Sequence, residues 1–594
     1  MAAIGSIHDK PKYSMRTKPI IYQLLPRLFA NNNADCIANG TIEQNGSGKM
    51  NDINATTLRA IKDLGVTHVW YTGVIEHAHD VDYTAYGIAR QNRHVVKGKA
   101  GSPYAITDYY DIDPDIAVDV AHRLDEFDAL VKRTHDTGLK VIIDFVPNHV
   151  GRQYYSDAKP AGITDLGAND DPTMFFSPGN DFYYITRQQF SPSIDLGEGD
   201  DAYVEFPAKA SGNDCFSAFP NQYDWYETVK LNYGIDYGNH TRHFEPIPPV
   251  WMKMLHILRY WASRGVDGFR CDMAHMVPLE FWKWAIPNVK ERYPDIIFIA
   301  EIYDIHLYRD FINIGGFDYL YDKVNLYDTL RGIQCCNVSA ANLTSCWQTV
   351  EGISDKMLNF QENHDEQRFA SPQYANNARA VFPSMIVSSM MSTGPYMLYM
   401  GQELGEKALD AEGYSGQDGR TTIFDFWSLS TIRRWRNRGK CDGRMLTDEE
   451  KQLRADYRKI LRLCNNEKAI SAGRFFDVTY ANYNNPHFNP HRHYAFFRSY
   501  GDVTLLIAVS FDYKSAEVEI NIPQHAFDFL NMPQGVVQAT ELLSGITTEK
   551  AFSSDSPFKV YLGGPYNAVI WKIEHKKVSS RQQKRKTKST TIEK

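Results

Sequence analysis

From Ile20 to Tyr399 the chain repeats one pattern: a short unbroken apolar run, a polar loop, then apolar residues spaced as on one helix face. The runs are Ile20–Leu25, Gly65–Tyr71, Leu139–Phe145, Gly265–Phe269, Ile296–Ala300, Gly316–Leu320, Met357–Phe360 and Pro395–Tyr399. Runs this short that do not alternate read as strands buried on both faces, as in a parallel sheet covered by helices. The helical stretches between them include Thr57–Leu64, a face marked by Leu124, Phe127 and Val131 that stops at Gly138, Val250–Ala262, and Leu279–Arg292. A capping box, Thr447-x-x-Glu450, opens a further helix through Leu453, Tyr457, Ile460 and Leu461. Eight strands alternating with helices predict an α/β chain closed as a (β/α)8 TIM barrel.

The rhythm breaks twice. From Val150 to about Thr228 the chain is rich in Gly, Asp, Pro and Tyr and has little period. A segment of that length inside a compact unit is rarely idle, and it predicts a subdomain inserted after strand three, over the C-terminal ends of the strands. Beyond about Ala472 the pattern turns to pure strand: Val503–Val509 is one run, Val518, Ile520 and Ile522 alternate with polar residues, and Ala568–Ile573 is the last. This predicts a C-terminal antiparallel β-sandwich. The expected units are 1–149 for the first part of the barrel, 150–232 for the insertion, 233–471 for the rest of the barrel, 472–575 for the sandwich and 576–594 for a basic, disordered tail.

A net charge of −8 gives no global attraction to nucleic acid. No apolar segment is long enough to span a membrane, and Met1–Lys18 lacks the apolar run of a signal peptide, so a cytoplasmic protein is expected. The eight cysteines are scattered without metal-type pair spacing, which fits reduced thiols in such a compartment. The sequence carries no signal for an oligomeric state.

The polar residues that follow the barrel strands are the candidates for chemistry. Strand three is followed by Asp144 and His149, strand four by Arg270 and Asp272, strand five by Glu301, and strand seven by His364 and Asp365. Arg270 and Asp272 are two residues apart and share a face of the sheet. Taken alone, they read equally as a structural ion pair or as a carboxylate held ionised for attack. Likewise His149 and His364 alone read as structural histidines, and Tyr104 alone as a packed aromatic. Three acids on three strands with flanking His and Arg fit glycosidic bond chemistry, which needs a carboxylate nucleophile or base, a protonated carboxyl as acid, and groups that grip hydroxyls. No phosphate-cradling glycine loop or nicotinamide fingerprint is present.

With these residues in place, the chain resembles the α-amylase family, glycoside hydrolase family thirteen. Asp144-Phe-Val-Pro-Asn-His149 resembles that family's first motif, Gly268-Phe-Arg-Cys-Asp272 its second, Ile299-Ala-Glu301 its third and Asn363-His-Asp365 its fourth. Gly394-Pro-x-x-x-Tyr-x-Gly401-x-Glu403 resembles the last barrel strand. The motifs stand in family order, and the resemblance runs from about Ile20 to His575.

The resemblance implies a retaining hydrolase of α-1,4-glucosidic bonds in starch, glycogen or maltodextrins. It makes Asp272 the nucleophile, Glu301 the general acid/base and Asp365 the residue gripping the sugar at the cleavage site. Arg270 would orient Asp272, His149 and His364 would bind hydroxyls, Tyr104 would stack under the sugar, and Asp144 would brace Arg270. Asp272 beside Arg270 is expected to stay ionised, and Glu301 to have its pKa raised. No organic cofactor is implied. Many family members hold a calcium ion between barrel and insertion. Here Asn148 matches one ligand, but Lys230 stands at the aspartate's place and Met276 where many members have histidine, so no metal ligand is assigned. The loop Asn31–Asp52, rich in Asn and Asp, is expected to be built of Asx turns, with a cation such as calcium held there instead as the alternative. Ser102-Pro103 replaces a His-Gly or Asn-Gly pair before Tyr104, which implies a missing subsite contact. The Lys-Leu-Asn form at 230–232 resembles members that act on short or branched maltodextrins. The alternatives are an α-glucan transglycosylase of the same fold and a non-catalytic glycan-binding relative.

Overall fold

Eight of the apolar runs pair side by side, all parallel, and close on themselves: Ile20–Leu24, His68–Tyr71, Lys140–Phe145, Gly268–Cys271, Ile297–Ala300, Tyr319–Tyr321, Met357–Phe360 and Tyr396–Tyr399. Each strand neighbours the next in sequence, and the last pairs with the first. The computed structural model of the protein describes residues 18–575 other than Ser415 and Tyr513. The expected signal-peptide-free start lies outside the described residues apart from Lys18, and the expected basic tail lies wholly outside them.

Nearly every strand side chain is buried, because one face fills the barrel interior and the other packs against helices. The outer ring includes Ala55–Lys62, Arg123–Asp136, Pro249–Ser263, Leu279–Lys290, Val381–Met390 and Asp448–Asn466. The last of these begins at the expected capping box, with Thr447 accepting from the Glu450 N–H and Glu450 from the Thr447 N–H. Three strands start three residues later than expected. Gly65 has φ +102°, Gly265 φ +88° and Gly316 φ +84°, left-handed values that place each glycine in the turn before its strand.

Three features depart from the sequence pattern. The loop after the second barrel strand contains an antiparallel pair, Ile75–His77 with Ile106–Ile112. Its acids, Glu76, Asp108 and Asp111, are buried, which hid the strand signal. The stretch between the third and fourth barrel strands contains short pairs: His149–Gly151 with Thr228–Lys230, and Tyr184–Ile185 with Ala208–Lys209. They surround an aromatic core of its own that includes Tyr183, Phe190 and Tyr203. Finally, the C-terminal region is not pure strand. The helix Gln524–Leu530 interrupts it and buries Phe527 and Leu530 in the local core. The rest is antiparallel. A six-stranded sheet shares that core with the pair Ala516–Ile520 and Phe558–Leu562. Alternation gives the large sheet two apolar faces: Phe497 and Leu506 face the sandwich core, while Phe496, Leu505 and Ile507 join the core of the barrel.

Candidate active site

Strand register assembles the site. Arg270 stands opposite Asp144 on one neighbouring strand and Ile299 on the other. The ladder continues past the strand ends: the Asp272 N–H donates to the Phe145 carbonyl at 2.9 Å, and the Glu301 N–H to the Cys271 carbonyl at 3.1 Å. Asp272 and Glu301 therefore sit on adjacent strands at the same rim of the barrel.

One guanidinium links them. Arg270 Nη1 donates to Asp272 Oδ1 at 2.7 Å and lies 3.4 Å from Asp144 Oδ1. Its Nη2 is 2.5 Å from Glu301 Oε1, a close ionic contact not aligned as a hydrogen bond. The rings of Trp70, Tyr104 and Tyr321 surround it, with centroids 5.3, 5.3 and 5.5 Å from its central carbon. Glu301 also accepts from the Met273 N–H at 2.8 Å and the Tyr303 hydroxyl at 2.7 Å. Met273 has φ +41°, and this turn aims its N–H at Glu301. Asp144 accepts from Trp70 Nε1 at 2.9 Å, which fixes the acid that braces Arg270.

The other expected residues are drawn to the same place. His364 Nε2 lies 2.6 Å from the Tyr104 hydroxyl and 3.1 Å from Asp365 Oδ2. The two rings are stacked at 5.2 Å. The other nitrogen of His364 lies 2.7 Å from the Gln23 side-chain amide on the first strand. His149 packs 5.2 Å from the ring of Trp225. Tyr104, His149, Asp272, Glu301, His364 and Asp365 all line one cavity of about 330 Å³. Arg270 and Asp144 lie behind that wall: Arg270 acts on it through Asp272 and Glu301, and Asp144 through Arg270.

Burial sets the electrostatics. It pushes Asp272 upward, and the pull of Arg270 limits the rise without reversing it. The pairing seen in sequence omitted this desolvation. Burial also raises Glu301 against the pull of Arg270, and the neighbouring Asp272 charge raises it further. A hydrogen bond from Glu301 favours ionised Asp272, so the pair's interaction directs the proton to Glu301. Asp144 is pushed up to about 7 by burial. Asp365 moves upward through desolvation and the Glu301 charge, moderated by solvent at the 40% of its side chain that is exposed. His149 is lowered to about 3 by burial and then by Lys230, and His364 falls well below the usual histidine range for the same first reason. Both are neutral at pH 7 and offer hydrogen bonds rather than charge.

At the junction with the inserted segment, the buried Lys230 ammonium touches the Asn148 side-chain oxygen, Asp214 at 2.7 Å and the Met276 carbonyl at 3.3 Å. It gathers the oxygens a cation would need. In the loop after the first strand, Asn31 and Asn33 accept from N–H groups two residues on, so these side chains form Asx turns.

Sequence reasoning missed Lys97, Trp225, Glu227, Met273, Tyr303 and Phe424, which also line the cavity. Tyr303 was findable, two residues beyond Glu301. Trp225 and Glu227 lie in the segment without period, whose Trp and Tyr content fits packing as well as substrate binding and singles out neither residue.

A family model described as alpha amylase, catalytic domain, matches residues 23–461. Neopullulanase 2 of Thermoactinomyces vulgaris is 22% identical over 400 residues, 65% of this chain and 56% of that protein. The chain thus spans little more than half the length of that relative. Alpha-amylase 3 of Dictyoglomus thermophilum is 21% identical over 497 residues, 79% of this chain and 80% of the other. The crystal structure of a maltogenic alpha-amylase from Thermotoga neapolitana matches with a TM-score of 0.60 at 19% identity, covering 94% of this chain and 99% of that one. At that identity the likeness concerns the fold alone.

Proposed function

The chain belongs to the α-amylase family, and from that premise we propose that it hydrolyses α-1,4-glucosidic bonds of starch, glycogen or maltodextrins with retention of configuration. The observation that carries this reading is the convergence of Asp272, Glu301 and Asp365 on one cavity, with Arg270 bound to both Asp272 and Glu301. Both carboxyls touch one planar guanidinium, an arrangement suited to retaining enzymes, whose two carboxyls lie about 5–5.5 Å apart. Asp272 attacks the anomeric carbon while Glu301 gives its proton to the departing glycosidic oxygen. Glu301, now ionised, takes a proton from water as the water displaces Asp272. Asp365, His149 and His364 grip hydroxyls of the sugar being cleaved, and Tyr104 stacks beneath it.

A cavity of about 330 Å³ lies at the small end of ligand sites. That size favours short maltodextrins within the substrate class. Eight unpaired cysteines accord with a cytoplasmic setting. Among the described residues no helix is long and apolar enough to cross a membrane.

We further propose that the junction needs no calcium, because the Lys230 ammonium supplies the positive charge that holds Asn148, Asp214 and the Met276 carbonyl. One experiment tests both statements. Soluble starch and a maltooligosaccharide ladder are digested with and without a strong chelator, with products sized by chromatography and their anomers read by NMR. Short α-configured products at the same rate in both arms are expected. Products longer than the input would move the assignment to transglycosylation, β-configured products would exclude retention, and loss of activity in the chelator arm would overturn metal independence.

The acid role of Glu301 also fixes a pH effect. The Tyr303 hydroxyl stabilises the Glu301 carboxylate and so lowers its pKa. Tyr303→Phe removes that pull, so Glu301 keeps its proton to higher pH. The alkaline limb of the kcat/KM profile is expected to move upward. At the optimum kcat should fall about fivefold, the worth of one hydrogen bond of about 1 kcal/mol. A limb that stays put or moves down would remove Glu301 from that step.

A further inference from the structure

Two charged residues in the cavity have no part in the chemistry above. Lys97 Nζ lies 2.9 Å from Glu227 Oε1, with only 12% and 5% of the two side chains exposed. Both line the cavity with the three acids. The second oxygen of Glu227, Oε2, is buried and has no hydrogen-bond partner among the described residues. A carboxylate kept buried with one oxygen unsatisfied is costly unless something fills the place.

The pair is also rigidly held. Gly98 has φ +64°, and a Cβ there would collide with the Phe424 carbonyl, so the Lys97 loop lies directly on the segment that follows the last barrel strand. The Ala100 N–H donates to that same carbonyl at 2.9 Å. Glu227 is fixed through its own carbonyl, which accepts from the Arg152 N–H at 2.9 Å, and it directly precedes the strand paired with His149–Gly151. Lys97 is near enough to His149 to help lower its pKa. Trp225, two residues from Glu227, adds an aromatic face to the same wall.

We propose that Lys97 and Glu227 form a binding position for a second sugar, next to the one cleaved, and read two adjacent hydroxyls of that glucosyl unit. The assignment rests on the α-glucan reading given above. A neighbouring diol offers both a donor and an acceptor, which matches an ammonium and a carboxylate side by side. The pair is neutral overall, so it suits an uncharged sugar. Its two halves come from different loops and act as a unit: either partner alone leaves the other charged and unpaired in a confined site.

The test is steady-state kinetics on maltoheptaose with Lys97→Met, Glu227→Gln and the double variant. Each single change is expected to raise KM about tenfold, the scale of a lost charge-assisted hydrogen bond, with kcat moving less than about threefold. The double variant should be no worse than about the poorer single. KM does not depend on the folded fraction, so a merely structural pair would lower kcat and leave KM in place, which overturns the proposal. Unchanged kinetics would overturn it as well. A wild type inert on maltoheptaose would sink the functional reading and this inference together, whereas turnover with an unaltered KM in the variants sinks the inference alone.

Discussion

Asp272→Asn is expected to lower kcat on maltoheptaose by on the order of 10⁵-fold, the scale seen when a nucleophile is removed. Glu301→Gln is expected to lower it by about 10²–10⁴-fold, the usual worth of a general acid. Both changes keep side-chain size in a buried cluster held by a single guanidinium: Asp272→Asn removes a negative charge, and Glu301→Gln replaces a carboxyl that already carries its proton. Burial penalises both carboxylates, so neither amide is expected to weaken the fold. The loss therefore appears in kcat, with a thermal midpoint at or above that of the wild type. The two roles separate on an α-glucosyl fluoride, whose leaving group needs little protonation. Glu301→Gln should recover a large part of its loss in the first step on that substrate, and Asp272→Asn should not. Activity within tenfold of wild type for Asp272→Asn would rule it out as the nucleophile.

The barrel was legible because its strands are buried on both faces and so read as unbroken apolar runs. The wall of acids was legible for a related reason: residues just beyond parallel strands share a rim, so Asp144, Asp272 and Glu301 could be placed together by register alone. What sequence did not reveal depends on long-range packing. The pair Ile75–His77 and Ile106–Ile112 buries acids that look like loop residues. The helix Gln524–Leu530 has too few residues to show a period. Lys97 and Glu227 are far apart in the chain and meet only because the inserted segment folds back over the barrel rim. Desolvation was the other hidden quantity. Arg270 beside Asp272 suggested a carboxylate held low, and only the full enclosure of the pair shows that burial prevails.

Arg270 carries the second large effect. It is 1% exposed and is the cation shared by Asp144, Asp272 and Glu301. Arg270→Met leaves three confined carboxyls with no counter-charge between them, and breaking a buried pair in this way costs about 3–5 kcal/mol. The deficit must depend on pH, and its sign follows from linkage. Without the guanidinium the folded-state pKa values of the three acids rise further above their unfolded values. Stability from a raised carboxyl is fully present below the unfolded pKa, near 4, and is lost as pH rises through the folded one. Below its folded pKa in the wild type an acid is protonated in both folded proteins, so its share of the gap opens only above that value: for Asp144 from about pH 7 upward, and for Asp272 and Glu301 above their own raised values. Urea titrations at about pH 4.5 and 9 should therefore give a smaller gap at the acid value, and an equal gap at both would show that Arg270 stabilises by packing against Trp70, Tyr104 and Tyr321 instead. Arg270→Lys discriminates further. An ammonium restores the charge but cannot reach Asp272 and Glu301 as one planar fork, so stability should return in part while kcat stays low.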